Sequence, residues 1–133
     1  MQPIEIDVLK IVVHAKDQSI AGLVEKTLVL AGCEDIEVFQ QLEDTESSIH
    51  NALPRVVIIL ANPNDDDEWE EAVAINRKRA ANKKRTPKIL GLVKPTSTDL
   101  KKARAAGFYD ILPLPQSPAS VSNRIRTIIS RLD

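Results

Sequence analysis

A lone cysteine, Cys33, leaves this 133-residue chain unable to close an internal disulfide or to build a cysteine metal cluster. Aromatic residues make up only 3% of the chain, too few for the stacking platforms that hold single-stranded nucleic acid. With four glycines and no G-x-G-x-x-G, G-K-[ST] or G-x-S-x-G pattern, neither a nucleotide-binding loop nor a nucleophile elbow can be assembled. The apolar runs, such as VVIILA after Arg55, are far too short to span a bilayer. Met1 to Asp7 carries two acidic residues and no apolar stretch, so it does not read as a signal peptide, and a cytoplasmic location is expected. The formal charge of −1 gives the whole chain no pull toward nucleic acid or an anionic membrane.

What is present is ordinary for a globular protein: 43% hydrophobic and 28% charged residues, enough for one domain with a real core over about residues 8–132. Five apolar, β-branched runs read as strands: Val8–His14, Ile36–Phe39, Val56–Ala61, Ile89–Val93 and Tyr109–Leu112. The third and fourth are unbroken aliphatic runs, as in strands covered on both faces. Between them lie helical stretches. Ser19–Ala31 has a stripe at positions 20, 23, 24, 27, 28 and 31 and stops at Gly32. A short helix is predicted over Thr45–Leu53. Another spans Trp69–Ala80, with Trp69, Ala72, Val73 and Asn76 roughly on one face. A fourth is capped by Ser97 or Thr98, runs to Ala106 and stops at Gly107. The last follows Pro118 and aligns Val121, Ile125, Ile128 and Leu132. Strict βα alternation predicts parallel strands with right-handed crossovers, a doubly wound α/β domain filling residues 1–133.

The C-terminal third, ARAAGFYDILPLPQSPASVSNRIRTI (Ala103 to Ile128), resembles the pattern A-x-x-A-G-A-x-D-Y-L-x-K-P-F-S-P-x-x-L of CheY-like response-regulator receiver domains. It keeps Gly107, Asp110, Pro115, Ser117 and Pro118. KIVVHAKDQ (Lys10 to Gln18) aligns without gaps to K-I-L-V-V-D-D-D-P, and TPKILGLV (Thr86 to Val93) is similar to the family's fourth strand. The resemblance covers essentially the whole chain. It implies a five-stranded parallel sheet of order 2-1-3-4-5 with five helices, and a site at the carboxyl edge of that sheet. It also implies a cis peptide at Leu114–Pro115.

In the family, an acidic pair holds Mg²⁺, an aspartate accepts the phosphoryl group, and a hydroxyl and a lysine bind its oxygens. Phosphoryl transfer demands such groups because it proceeds by positioning and by neutralising negative charge. Here the acidic pair falls on Ala15 and Lys16. The acceptor falls on Leu60 counted from Pro54, or on Ile59 counted back from Pro63. The hydroxyl position is Leu92, the lysine position Leu114, and the aromatic switch position Ile111. Every functional position is replaced, most by aliphatics. Like charges crowded in an empty pocket repel. Filling it with Leu60, Leu92 and Leu114 exchanges that repulsion for apolar burial of roughly 1.5–3 kcal/mol per side chain. The expectation is a greasy or closed vestigial pocket and a domain held in one state, with no cofactor.

The resemblance implies a non-catalytic pseudo-receiver in signal transduction, acting through the face made by its fourth helix, fifth strand and fifth helix. That face would include Lys101, Lys102, Arg104, Ile111, Arg124 and Arg131. It would contact a protein partner, an effector domain or a second copy in a homodimer. Two alternatives use other residues. Asp17 and Asp65, the latter in the acidic run Asp65-Asp66-Asp67-Glu68, supply oxygen ligands for a displaced Mg²⁺ or phosphoryl site. The same run also reads as a solvated loop suited to a helix start, with Lys16 and Lys94 available to pair with it. The basic run Arg77–Arg85 offers a nucleic-acid contact, although positive charge at a helix end is the commoner reading. His14 sits near the edge of the vestigial pocket, His50 lies on a polar helix, and Cys33 reads as an inert buried thiol.

Overall fold

Aliphatic runs four to six residues long, too short for helices and rich in Val and Ile, form the strands of the computed structural model, which describes residues 9–83 and 86–132. In chain order the elements are β1 (Lys10–Ala15), α1 (Gln18–Leu30), β2 (Asp35–Phe39), α2 (Leu42–Ala52), β3 (Val56–Leu60), α3 (Asp66–Arg77), β4 (Lys88–Val93), α4 (Ser97–Ala105), β5 (Asp110–Leu114) and α5 (Pro118–Leu132). The strands make one parallel sheet in the order β2-β1-β3-β4-β5, as the resemblance implied.

The sheet separates two apolar layers. On one face Ile11, Val13, Ile58 and Leu112 pack with Val24 and Leu28 of α1 and with Val121, Ile125 and Ile128 of α5. On the other, Val12, Val57, Ile59 and Leu90 pack with Ile49 of α2, Ala72 and Ile75 of α3 and Ala103 of α4. All five residues of β3 are buried, which its unbroken aliphatic run anticipated.

The element boundaries move where capping chemistry decides them. Asp17 caps α1 by accepting from Ser19 and Ile20 N–H. The helix ends in a Schellman turn, with Cys33 N–H bonded to Leu28 O, Gly32 N–H to Val29 O, and Gly32 at φ 101°. The predicted stripe on α1 is narrower than expected: Leu23, at 56% exposure, faces solvent. The second helix starts at Leu42 rather than Thr45, and Leu53 is its left-handed cap at φ 52°. The third begins at Asp66, not Trp69, because the Asp65 carboxylate caps it through Glu68 N–H. The acidic run is therefore a helix start rather than a loop, and the helix ends at Arg77 instead of Ala80. Thr96 and Asp99 form a capping box that opens α4 one residue ahead of the predicted caps. The fifth strand runs on through Pro113 to Leu114, which a proline tolerates because β5 is an edge strand paired only with β4. Val8, the Leu132 side chain, Lys84 and Arg85 lie outside what is described.

Candidate functional site

The parallel register sets Ala15 opposite Leu60 and Leu60 opposite Gly91, so three strand ends lie side by side at the carboxyl edge. The Leu114 side chain joins them, with Cδ1 3.5 Å from where a β-carbon on residue 91 would stand. Leu60 Cδ2 occupies space that such a β-carbon would need. Leu60, at the end of β3 opposite Ala15, is spread across Gly91. Ile59 alternates to the opposite face and packs in the other layer. Ala15, Leu60 and Leu114 are at most 9% exposed and share one apolar cluster.

Two expectations for this pocket require correction. Leu92 does not fill it, because period-two alternation along β4 turns Leu92 into the α2–α3–α4 layer. Gly91 and Val93 line the cavity in its stead. Nor is the pocket closed. A cleft of about 410 Å³ opens above Ala15, Leu60 and Gly91, with a polar rim of Asp17, Asn62, Glu68, Lys94, Thr96 and Asp99. The floor is greasy and the rim is not.

Several of the carboxylates at this edge hold helix starts. Asp17 and Asp65 are helix caps, and Asp99 completes the capping box of α4. Burial pushes the Glu68 carboxyl up, opposed by a backbone hydrogen bond from Asn62 and reinforced by Asp65 and Asp17. Lys16 closes on Glu71 at 2.9 Å rather than on the Asp65–Glu68 run, and this contact raises its pKa. Lys94 makes no ion pair among the described residues. Its backbone sits at φ 44° and its N–H donates to Leu114 O at 2.9 Å, fastening the ends of β4 and β5 together. Among the described residues no group of three or more His, Cys, Asp or Glu side chains is placed to hold a metal ion. The Leu114–Pro115 peptide is cis.

His14 does not reach the cleft. It is 2% exposed and faces α2, its Nδ1 2.6 Å from Thr45 Oγ1. The Thr45 hydroxyl also lies 3.3 Å from Gln41 O, so it bridges the ring to the first turn of α2, with the donor of the short contact set by the ring tautomer. Burial lowers its pKa, partly offset by Glu71 and reinforced by Lys16. His50 is exposed on α2, and Cys33 is buried, its thiol pushed up by burial with Arg126 opposing.

On the α4–β5–α5 face, Lys101 and Arg104 are exposed, Ile111 packs half-buried against the second layer, and Arg124 pairs with Asp110 at 3.2 Å. Lys102 leaves that face. Its ammonium lies 4.8 Å from the centre of the Trp69 ring and donates to Pro63 O, bridging α4 to the β3–α3 loop. The basic run divides: Arg77 ends α3, Lys78 is its cap, Arg79 and Lys83 follow the helix.

The residue missed from sequence was Gly91. An isolated glycine within a strand pattern signals close approach by a neighbour, and here the neighbour is Leu60. Glu71 and Thr45 carried no comparable signal, since only tertiary packing brings them to Lys16 and His14.

No family model matches the chain, and no curated protein matches it. Solved structures do. A protein described as pilus assembly-related from Burkholderia pseudomallei superposes with TM-score 0.74 at 15% identity, covering 98% of this chain and 96% of its own. A response regulator from Chloroflexus aurantiacus gives 0.71 at 19% identity, over 98% and 100%. The signal receiver domain of a LuxO repressor protein from Vibrio parahaemolyticus gives 0.68 at 16%, over 92% and 91%. The chain thus has the fold of the response-regulator receiver (CheY-like) domains. Among the described residues no helix is long and apolar enough to cross a membrane.

Proposed function

We propose that this chain is a single-domain, non-catalytic pseudo-receiver that acts in cytoplasmic signal transduction by protein–protein contact. The observation that carries the reading is the acceptor position: Leu60 lies buried over Gly91, beside Ala15 and Leu114. None of these side chains can accept or ligate a phosphoryl group, and none can hold the Mg²⁺ that phosphoryl transfer requires. Lys16, at the second acidic position, brings a positive charge already committed to Glu71. Asp17 and Asp65, the carboxylates considered for a displaced site, each accept backbone N–H groups through Oδ1. A displaced phosphoryl site that drew these Oδ1 atoms away would uncap α1 and α3, at about 1 kcal/mol each.

The contact surface in this reading is the α4–β5–α5 face, with Lys101, Arg104 and Arg124 around Ile111. Its partner is an effector domain, another protein, or a second copy of the chain. Lys102 clamped on Trp69 and Lys94 tied to Leu114 support a face held in one arrangement.

Amide NMR spectra recorded with and without Mg²⁺ plus beryllium fluoride, a phosphoryl mimic, test the reading. Superimposable spectra are expected. Shifts concentrated at Asp17, Asp65 and the end of β3 would replace it with an atypical phosphoryl-responsive receiver.

A further inference from the structure

At the opposite, amino edge of the sheet lies a larger cleft of about 730 Å³. The end of α3, the start of β4, the end of α4 and the residue before β5 enclose it. Among the described residues, Arg77, Lys78, Arg79 and Lys88 line it, and no carboxylate does. In a chain of net charge −1 this is a local separation of charge, not general basicity.

Part of the α3 carboxyl end is satisfied without the side chains of Arg77, Lys78 and Arg79. Lys88, 3% exposed, donates its ammonium to Lys78 O, while Lys78 N–H bonds Ile75 O at 3.1 Å. The side chains of Arg77, Lys78 and Arg79 make no ion pair among the described residues. The walls are tied together, because Asn76 Nδ2 on α3 donates to Ala106 O after α4 at 3.3 Å.

The same cleft holds the one tyrosine. Trp69 and Phe108 stack edge to face at 5.9 Å, and Phe39 packs against the second layer. Tyr109 is 43% exposed and lines the cleft with Arg77, Lys78 and Arg79. The cleft's size is that of small-ligand sites, about 300–1,000 Å³.

We infer that this cleft binds a nucleoside polyphosphate, its phosphates on Arg77, Lys78 and Arg79 and its base against Tyr109. A single aromatic ring in a concave site favours a small ligand over an extended strand, which needs successive stacking platforms.

The test is titration of the labelled full chain with ADP, inorganic pyrophosphate and adenosine at low salt, read by amide shifts. ADP is expected to move Lys78, Lys88, Gly107 and Tyr109, pyrophosphate to bind more weakly at the same cations, and adenosine to do nothing. The double variant Arg77→Glu/Arg79→Glu, its melting temperature checked against the parent, should weaken ADP about tenfold or more. Tyr109→Ser should weaken ADP and leave pyrophosphate unchanged. No shifts with either anion, or ADP affinity indifferent to Tyr109→Ser, would overturn the assignment. Tenfold tighter binding of a single-stranded oligonucleotide at the same residues would overturn it in favour of nucleic acid.

Discussion

Gly91→Ala probes the filled acceptor position most directly. A β-carbon there meets Leu60 Cδ2 inside contact distance, while Leu114 Cδ1 at 3.5 Å and Ile59 O at 3.7 Å stand at ordinary separations. One methyl group is the whole obstruction. Leu60 is 6% exposed at the floor of an open cleft, so it can yield partway into that space. Overpacking a core typically costs about 1–3 kcal/mol. Removing a glycine from a strand interior returns about 0.5–1 kcal/mol. The net expectation for Gly91→Ala is a destabilisation of about 0.5–2 kcal/mol. Leu60→Ala by itself removes a buried side chain and should cost about 2–4 kcal/mol. With Leu60 truncated, the obstruction vanishes, and Gly91→Ala should turn neutral or stabilising. The cycle then carries a coupling of about 1–2 kcal/mol, well above the additivity expected of independent sites. Urea unfolding of the parent, both single variants and the double variant, followed by circular dichroism with shared m-values, measures it. If Gly91→Ala costs the same in both backgrounds, within about 0.5 kcal/mol, Leu60 is not what makes glycine necessary, and the account of the pocket fails.

His14 makes stability depend on pH. Its folded pKa is lowered by burial, so the unfolded chain binds the extra proton, and the stabilisation present above about pH 6.5 is lost as pH falls below that value. Thermal melts should drop between pH 7.5 and 5.5, and His14→Asn, which keeps a hydrogen-bonding group toward Thr45, should flatten that drop; an unchanged slope would clear His14. Asp17→Ala should lower stability by about 1 kcal/mol through loss of the α1 cap and should not alter spectra taken with Mg²⁺ and beryllium fluoride. A parent response to Mg²⁺ that disappears in this variant would give Asp17 a ligand role. Lys102→Met should cost about 0.5–1 kcal/mol and increase amide exchange in the β3–α3 loop, because it releases the contacts to Trp69 and Pro63; unchanged exchange would mean the clamp does not hold that loop.

The architecture was legible because its signals are local. Aliphatic runs at the length of strands, the stops at Gly32 and Gly107 and the proline opening α5 each declare an element without reference to the rest. Helix starts were less legible, since Asp65 and Thr96 caps compete with neighbouring Asp, Ser and Thr residues that carry the same chemistry. At the site, gapless counting named Ala15, Leu60 and Leu92 together, but Leu92 packs on the opposite face from the other two, because counting along a strand does not say which face a residue takes. Counting from the two flanking prolines could not choose between Leu60 and Ile59. The register sets Leu60 opposite Ala15 and Ile59 opposite His14, so the two candidates lie on different faces. The rim of the cleft was beyond sequence reasoning altogether, as it joins residues from five separate loops and helix starts.

Leu60 and Gly91 are best understood together. An aspartate at position 60 would need cations and N–H donors around it, whereas a leucine needs room, and the room is supplied by a residue without a side chain on the neighbouring strand. That pairing makes the change at the acceptor position a packed arrangement rather than a simple deletion of charge. The same edge is tied at two further points, through Lys94 N–H on Leu114 O and through Lys102 on Trp69. Both ties join segments that would have to part for α4 and β5 to rearrange. A switching domain keeps such segments near balance between two states, because a ligand shifts an equilibrium only by its differential affinity for them. In the proposed reading, an apolar floor offers a phosphoryl group no preference for either state, and the α4–β5–α5 face takes no input from this edge. It is therefore expected to present one arrangement whatever the supply of phosphodonor.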